Sequence, residues 1–146
     1  MAKLKYAKYI VSEAKVPESI PFYRHESAEV TSPGMIRLAS LAGDFFKEAP
    51  HLGCMWFLPR PLNDSQKPGV EAHVHDFDEI LGFYGCDPYN PGELYGEVEF
   101  WLGDEKYLLT KSCIIYVPKG LKHCPLFIRR LDKPLFHLGW TPSAPK

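Results

Sequence analysis

Proline and glycine interrupt this sequence so often that long helices are excluded from most of it. The 146 residues include 14 prolines and 11 glycines. Proline inside a helix removes a backbone hydrogen bond and clashes with the preceding turn, whereas it is well tolerated in the turns between strands. Short apolar stretches lie between these breakers, and their length is typical of β-strands. The spacing therefore predicts an all-β domain, a sandwich or a barrel.

Period-two alternation supports this prediction most clearly in Leu94–Leu102. There Val98, Phe100 and Leu102 form one apolar row, while Glu97, Glu99 and Trp101 form the other, so both glutamates are expected to face solvent. Only Ala42–Ala49 is compatible with a turn or two of helix, which Pro50 ends. The predicted strands are Met35–Leu41, Cys54–Leu58, Val70–His75, Glu79–Tyr84, Leu94–Leu102, Lys106–Thr110, Ile114–Val117, Pro125–Arg130 and Leu135–Trp140.

Composition narrows the possible partners and the cellular location. With 17 basic and 18 acidic residues the net charge is -1, so the chain has no basic excess for binding nucleic acid. It contains no apolar run long enough to span a bilayer and no signal peptide, which predicts a cytoplasmic protein without a membrane partner. The four cysteines form no C-x-x-C pair and are expected to be reduced thiols.

The predicted organisation is an N-terminal arm with an edge strand (residues 1–34) followed by one barrel (residues 35–146). The arm contains apolar residues that could form an edge strand or exchange between two copies, which predicts a homodimer. These residues are Tyr6, Tyr9, Ile10 and Val11.

His73, His75 and Glu79 form the strongest chemical signal in the chain. Side chains two apart on a strand point to the same face, so the two imidazoles lie side by side, and Glu79 follows across a tight corner. Two neutral nitrogens and a carboxylate suit a divalent ion such as Zn, Mn, Fe or Ni. His123, which follows a Pro-x-Gly turn, is the expected fourth ligand.

Two motifs resemble those of the cupin superfamily. Gly69–Gly85 (GVEAHVHDFDEILGFYG) is similar to the first cupin motif, and Ser112–Phe127 (SCIIYVPKGLKHCPLF) is similar to the second. The resemblance implies a double-stranded β-helix, or jelly roll, with one metal ion held by the matching three histidines and glutamate. Three positions depart from the pattern: Gly85 comes one residue early, Ser112 replaces a glycine, and Phe127 replaces an asparagine and would make a pocket wall apolar.

Other residues in or near these motifs could be either structural or functional. Asp76 and Asp78 are expected to be solvated corner residues rather than ligands. Cys124 is expected to be a packed thiol that faces away from His123 by strand alternation. His137 is expected in the core or behind the ligands, and is otherwise a candidate catalytic acid or base. Tyr84 is a weaker catalytic candidate at a cavity mouth.

These features favour a metal-dependent enzyme acting on a small organic acid or carbonyl compound. Coordination positions left open by four protein ligands would admit a substrate oxygen, for Lewis-acid or oxygen chemistry. Cupin-like proteins also include binding modules, so a metal-anchored module that binds or senses a small molecule is the alternative. A purely structural metal site is a third, weaker hypothesis.

Overall fold

The chain folds into two antiparallel β-sheets whose inner faces form one core. A computed structural model describes residues 4–12, 34–41, 46–65 and 67–142. In this part a short 3-10 helix, Ala7–Tyr9, precedes the strands, and no helix is long and apolar enough to cross a membrane. The strands are β1 Met35–Leu41, β2 His51–Phe57, β3 Glu79–Gly85, β4 Glu93–Leu102, β5 Glu105–Lys111, β6 Cys113–Val117, β7 His123–Leu131 and β8 Leu135–Thr141.

The strand order is that of a jelly roll. The larger sheet has the order β1-β2-β8-β3-β6 and the smaller one β5-β4-β7. Residues 70–75 run beside β7, where Val70 bridges to Leu126 and His73 to His123, so this segment extends the smaller sheet. Along the chain β2, the segment, β3 and β4 alternate between the sheets, and β5 to β8 return antiparallel to them. This order confirms the predicted double-stranded β-helix.

Alternating side chains along the strands build the core between the sheets. In β4 the row of Val98 and Phe100 is almost completely buried, as the sequence pattern predicted. The Phe83 and Phe100 rings meet across the sheets with centroids 6.4 Å apart. On the outward row, Glu99 is not in open solvent as expected, because its carboxylate lies 3.1 Å from the Arg129 guanidinium and its side chain is only 14% exposed.

The segment predicted as the strand Val70–His75 forms isolated bridges instead of a continuous ladder. Its backbone pairs with β7 at Val70 and His73. At His75 the carbonyl accepts a hydrogen bond from the N–H of Gly120, in the turn after β6, at 2.9 Å. At its C-terminal end the segment therefore hydrogen-bonds to the turn after β6 instead of to β7. This contact brings the two cupin-like motifs together.

The N-terminal arm and the predicted helical stretch are described only in part. Residues 13–33 and 42–45 lie outside the described residues, and Phe46–Ala49 is a turn closed by a hydrogen bond from Ala49 N–H to the Phe46 carbonyl. Residues 4–12 form no strand within the described chain, and the edge strand expected for the arm when two copies pair stays a prediction. The Tyr6 and Tyr9 rings stack 6.5 Å apart because side chains three residues apart align in a 3-10 helix.

Candidate metal centre

Three imidazoles from the two cupin-like motifs meet at one end of the barrel. One nitrogen from each of His73, His75 and His123 lies within 4.8 Å of the others. The His123 ring centroid is 4.4 Å from that of His73 and 4.7 Å from that of His75. Nitrogens bound to one ion at about 2.0–2.1 Å lie roughly 3–4 Å apart, so a shift of less than about 1 Å closes the cluster.

The bridge between the motifs positions two of these rings. His73 and His123 are direct partners, each N–H donating to the other's carbonyl at 3.1 Å. The turn after β6 is tied to the acidic corner, because the N–H of Lys119 donates to Oδ1 of Asp78 at 2.9 Å. This hydrogen bond, assisted by Tyr116, lowers the pKa of Asp78. Asp78 therefore anchors the turn, and the described cluster of nitrogens does not include it.

Each of the three histidines has its Nδ1 atom occupied by a backbone carbonyl two residues away. The Nδ1 atoms of His73, His75 and His123 lie 2.7, 2.9 and 2.9 Å from the carbonyl oxygens of Glu71, Phe77 and Leu121. A carbonyl only accepts, so Nδ1 carries the proton of each ring and Nε2 presents a lone pair in the neutral form. Fixing Nδ1 in this way orients imidazoles that bind metals through Nε2.

Glu79 faces the same cluster from the first residue of β3. Its Oε2 lies 3.0 Å from Nε2 of His75, and its Oε1 lies 4.0 Å from Nε2 of His123. With the proton of His75 on Nδ1, both Nε2 of His75 and Oε2 of Glu79 are acceptors. A positive charge is therefore needed between them, either a proton or a metal ion. Burial lowers the pKa of His123, which favours its neutral, metal-binding form. The four residues therefore fit a divalent ion.

A cavity with a volume of about 60 Å³ extends from these residues between the sheets. His73 and Glu79 lie at its wall, and the remaining wall is mostly apolar. Two further histidines, His51 and His137, also line it. The other lining residues are Gly53, Met55, Val70, Leu81, Phe100, Cys124, Leu126 and Gly139.

His137, a sequence candidate for catalysis, is a buried and neutral cavity residue. Its ring stacks on Phe83 with centroids 4.4 Å apart, and its Nδ1 lies 2.7 Å from the Gly82 carbonyl. Burial lowers its pKa to about 4. Tyr84, the other candidate, is not among the cavity residues: its ring covers the backbone of Gly82 and packs on Phe136 on the opposite face of the sheet.

His51 is a cavity residue that the sequence analysis did not single out. It begins β2, where His51, Gly53, Met55 and Phe57 alternate inward, and it is 1% exposed. Burial lowers its pKa to about 4, and its ring hydrogen-bonds the backbone of Leu41. Extending the predicted strand Cys54–Leu58 back to His51 would have revealed this position, because the period of two continues to that residue.

Two predictions about β7 are wrong because the strand does not alternate regularly. Cys124 has a φ of 68°, the register against β4 shifts beside it, and its side chain lines the cavity together with His73 and Glu79. Its pKa is raised by burial, which keeps it a thiol. Phe127 points outward under the Arg129 guanidinium, 3.9 Å from its ring centroid, so Leu126 and not Phe127 supplies the apolar wall.

Comparisons with known proteins find similarity at the level of structure only. No protein-family model and no curated protein matches the sequence. A predicted oxalate decarboxylase from Thermotoga maritima superposes with a TM-score of 0.47 and 14% identity, over 73% of this chain and 76% of that one. KdgF from a Halomonas species gives 0.43 and 15%, over 78% and 84%.

A third solved structure is described as a cupin superfamily protein, from Desulfitobacterium hafniense. It superposes with a TM-score of 0.42 and 14% identity, over 73% of each chain. By its strand order and the meeting of its two motifs, the described chain is a cupin-like jelly-roll barrel.

Proposed function

We propose that the chain is a metal-dependent enzyme of the cupin type that acts on a small organic acid or carbonyl compound. His73, His75, Glu79 and His123 would hold one divalent ion, Zn, Mn, Fe or Ni. The observation that carries this proposal is the shared orientation of the histidines: three Nδ1 atoms face carbonyls, and the Nε2 atoms of His75 and His123 face the Glu79 carboxylate.

The residues around the site suit a substrate that binds beside the ligands. Three imidazoles and one carboxylate leave up to two positions of a six-coordinate ion for substrate oxygens. An ion bound there supplies Lewis acidity, or redox chemistry if it is iron. Among the described residues no Lys or Arg lines the cavity, so the ion is the expected anchor for a substrate carboxylate, while the apolar walls exclude water.

A metal-anchored binding or sensing module is the second candidate. This function is favoured by the two cavity histidines that are not candidate ligands. One ring nitrogen of each is hydrogen-bonded to the backbone, which limits its use in proton transfer to a substrate. His51 bonds to the backbone of Leu41, and His137 to the carbonyl of Gly82. Saturable binding of a small acid by the metal-loaded protein, without any product formed, would support this function over an enzyme.

Metal analysis of the untagged protein tests the site itself. We expect about one ion per chain in the wild type and a sharp loss in His123→Ala, because that substitution removes a fully buried ligand nitrogen. Cys124→Ala is the matched control, since it changes the adjacent buried residue and should retain the ion. Equal metal content in all three proteins, or none after reconstitution, would contradict the proposal.

The proposal includes the cytoplasmic location expected from the sequence, and a small molecule as the partner. A metal site that only stabilises the fold would give a different experimental result. In that case removing the ion would lower the melting temperature, and no small acid would bind to the loaded protein.

A further inference from the structure

A gap in the cavity wall separates its two additional histidines. Gly53 of β2 and Gly139 of β8 are direct partners in the larger sheet, and both line the cavity. Two residues later on β2 and two residues earlier on β8, the next inward row holds Met55 and His137. Because glycine has no side chain, the paired glycines leave open space in front of His137 that a bound molecule can occupy.

The hydrogen bond to Gly82 determines what His137 can recognise. Nδ1 of His137 donates its proton to the Gly82 carbonyl at 2.7 Å, and the ring is neutral. Nε2 is therefore a hydrogen-bond acceptor. No hydrogen bond to this atom is found within the described residues, and the ring lines the cavity.

We propose that the ligand of this site carries an uncharged arm that lies over Gly53 and Gly139 and ends in a hydroxyl that donates a hydrogen bond to Nε2 of His137. The inference rests on the proposed function, because the carboxylate at the other end of the ligand is anchored at the ion. A charged ammonium in place of the hydroxyl is excluded by the cost of burying it in this mostly apolar cavity.

The proposal predicts discrimination between a hydroxyl and a carbonyl. A ketone presents only lone pairs, so its binding covers the Nε2 atom of His137 without giving it a donor, whereas an alcohol satisfies that atom. Sites built around a buried hydrogen-bonding group reject analogues that cannot complete the bond. We therefore expect hydroxy acids to bind more tightly than keto acids of the same length.

Matched pairs of acids test this with the reconstituted, zinc-loaded protein. The probes are 4-hydroxypentanoate and 4-oxopentanoate, with the same pair lengthened by one and by two methylene groups, and affinities are measured by calorimetry. At one or more of these lengths the hydroxy acid should bind about tenfold more tightly, as expected for one buried hydrogen bond.

Two variants separate recognition by His137 from the space beside it. His137→Phe keeps a ring between Phe57 and Phe83, and it should remove the hydroxyl preference while changing keto-acid affinity less than about twofold. Gly139→Ala should weaken both acids and keep their ratio. The added Cβ would lie 3.6 Å from Leu81, an ordinary contact that the fold accommodates.

The outcomes distinguish this inference from the metal site. If the loaded protein binds both members of every pair equally, or binds none of the six acids, the inference is overturned while a measured metal content still supports the site. A hydroxyl preference that survives in His137→Phe also overturns it. A preference that is lost in this variant but persists without metal supports the inference and contradicts the ion as the anchor.

Discussion

The backbone N–H of Gly85 donates a hydrogen bond to Oγ of Ser112 at 2.9 Å. These residues are two of the three positions at which the chain departs from the cupin pattern, and the hydroxyl of Ser112 in turn donates to the Pro91 carbonyl at 2.6 Å. A Cβ on Gly85 would overlap the Glu93 carbonyl oxygen. Gly85 and Ser112 therefore form one local contact that joins the end of β3 to the start of β6.

Ser112→Ala should lower the free energy of unfolding by about 1 kcal/mol, because it leaves the Gly85 N–H without its partner in a part-buried position. Urea unfolding measures this effect. Ser65→Ala, in an exposed turn, is the control and should change stability by less than about 0.5 kcal/mol. Equal effects of the two substitutions would contradict the bridging role.

Glu79→Gln should reduce the affinity for a divalent ion at least about tenfold, since it replaces the carboxylate facing His75 by a neutral amide. Competition with a chromogenic chelator measures this affinity. Glu99→Gln is the matched control, because that carboxylate pairs with Arg129 and is not a cavity residue. Unchanged affinity in both variants would remove Glu79 from the ligand set.

Stability should fall on acidification because two buried histidines stay neutral in the folded protein. Burial lowers the pKa of His51 and His137 from 6.5 to about 4, with Glu79 opposing the shift for both and Arg37 adding to it for His51. Below a pH of about 6.5 the unfolded chain binds protons that the folded chain does not. Each ring therefore removes about 3 kcal/mol as the pH drops to about 4.

Urea unfolding of the metal-free protein between pH 7 and pH 4.5 measures this dependence, without the added effect of metal release. His137→Phe should show a smaller dependence, because the variant keeps the buried rings of His51 and His123 but has lost that of His137. A wild type whose stability is constant across this range would contradict the neutral, buried state of both histidines.

The expected homodimer can be tested on the apolar edges of the larger sheet. Ile114 and Tyr116 on β6 are 66% and 57% exposed, and Ile36 and Leu38 on β1 are 52% and 51% exposed. Apolar side chains on unpaired edges favour association with a second copy. Sedimentation should show a dimer for the wild type and a monomer for the double variant Ile114→Lys, Tyr116→Lys.

Tyr89→Lys is the control for this experiment, because Tyr89 is 96% exposed but lies in the loop between β3 and β4 and not on an edge strand. It should sediment as the wild type does. A wild-type monomer at micromolar concentration would contradict the homodimer.

Local sequence patterns were sufficient for the architecture and for the candidate ligands. Alternation in stretches such as Leu94–Leu102 depends only on the period of the strand, so the strands and their inward rows could be read directly. The three histidines and Glu79 were found because their spacing and the Pro-x-Gly turn are local features. The structure brings all four side chains together, as that pattern anticipated.

The residues that the sequence misplaced depend on contacts between distant segments. Cys124 enters the cavity because the backbone at that residue is left-handed and the β4–β7 register shifts beside it, which no alternation rule anticipates. The same register shift turns Phe127 outward, where the Arg129 guanidinium covers its ring. Such shifts follow from pairing between strands, so a pattern within one strand does not contain them.

The sequence by itself determined most of the strands and turns and indicated four candidate metal ligands, because each depends on neighbours within a few residues. The tertiary structure alone decided what lies beside that site. It paired Gly53 with Gly139 across two strands far apart in the chain, and it buried His51 and His137 in a shared apolar cavity. Cavity shape and pKa arise from the packing of distant segments, and only the folded chain brings those segments together.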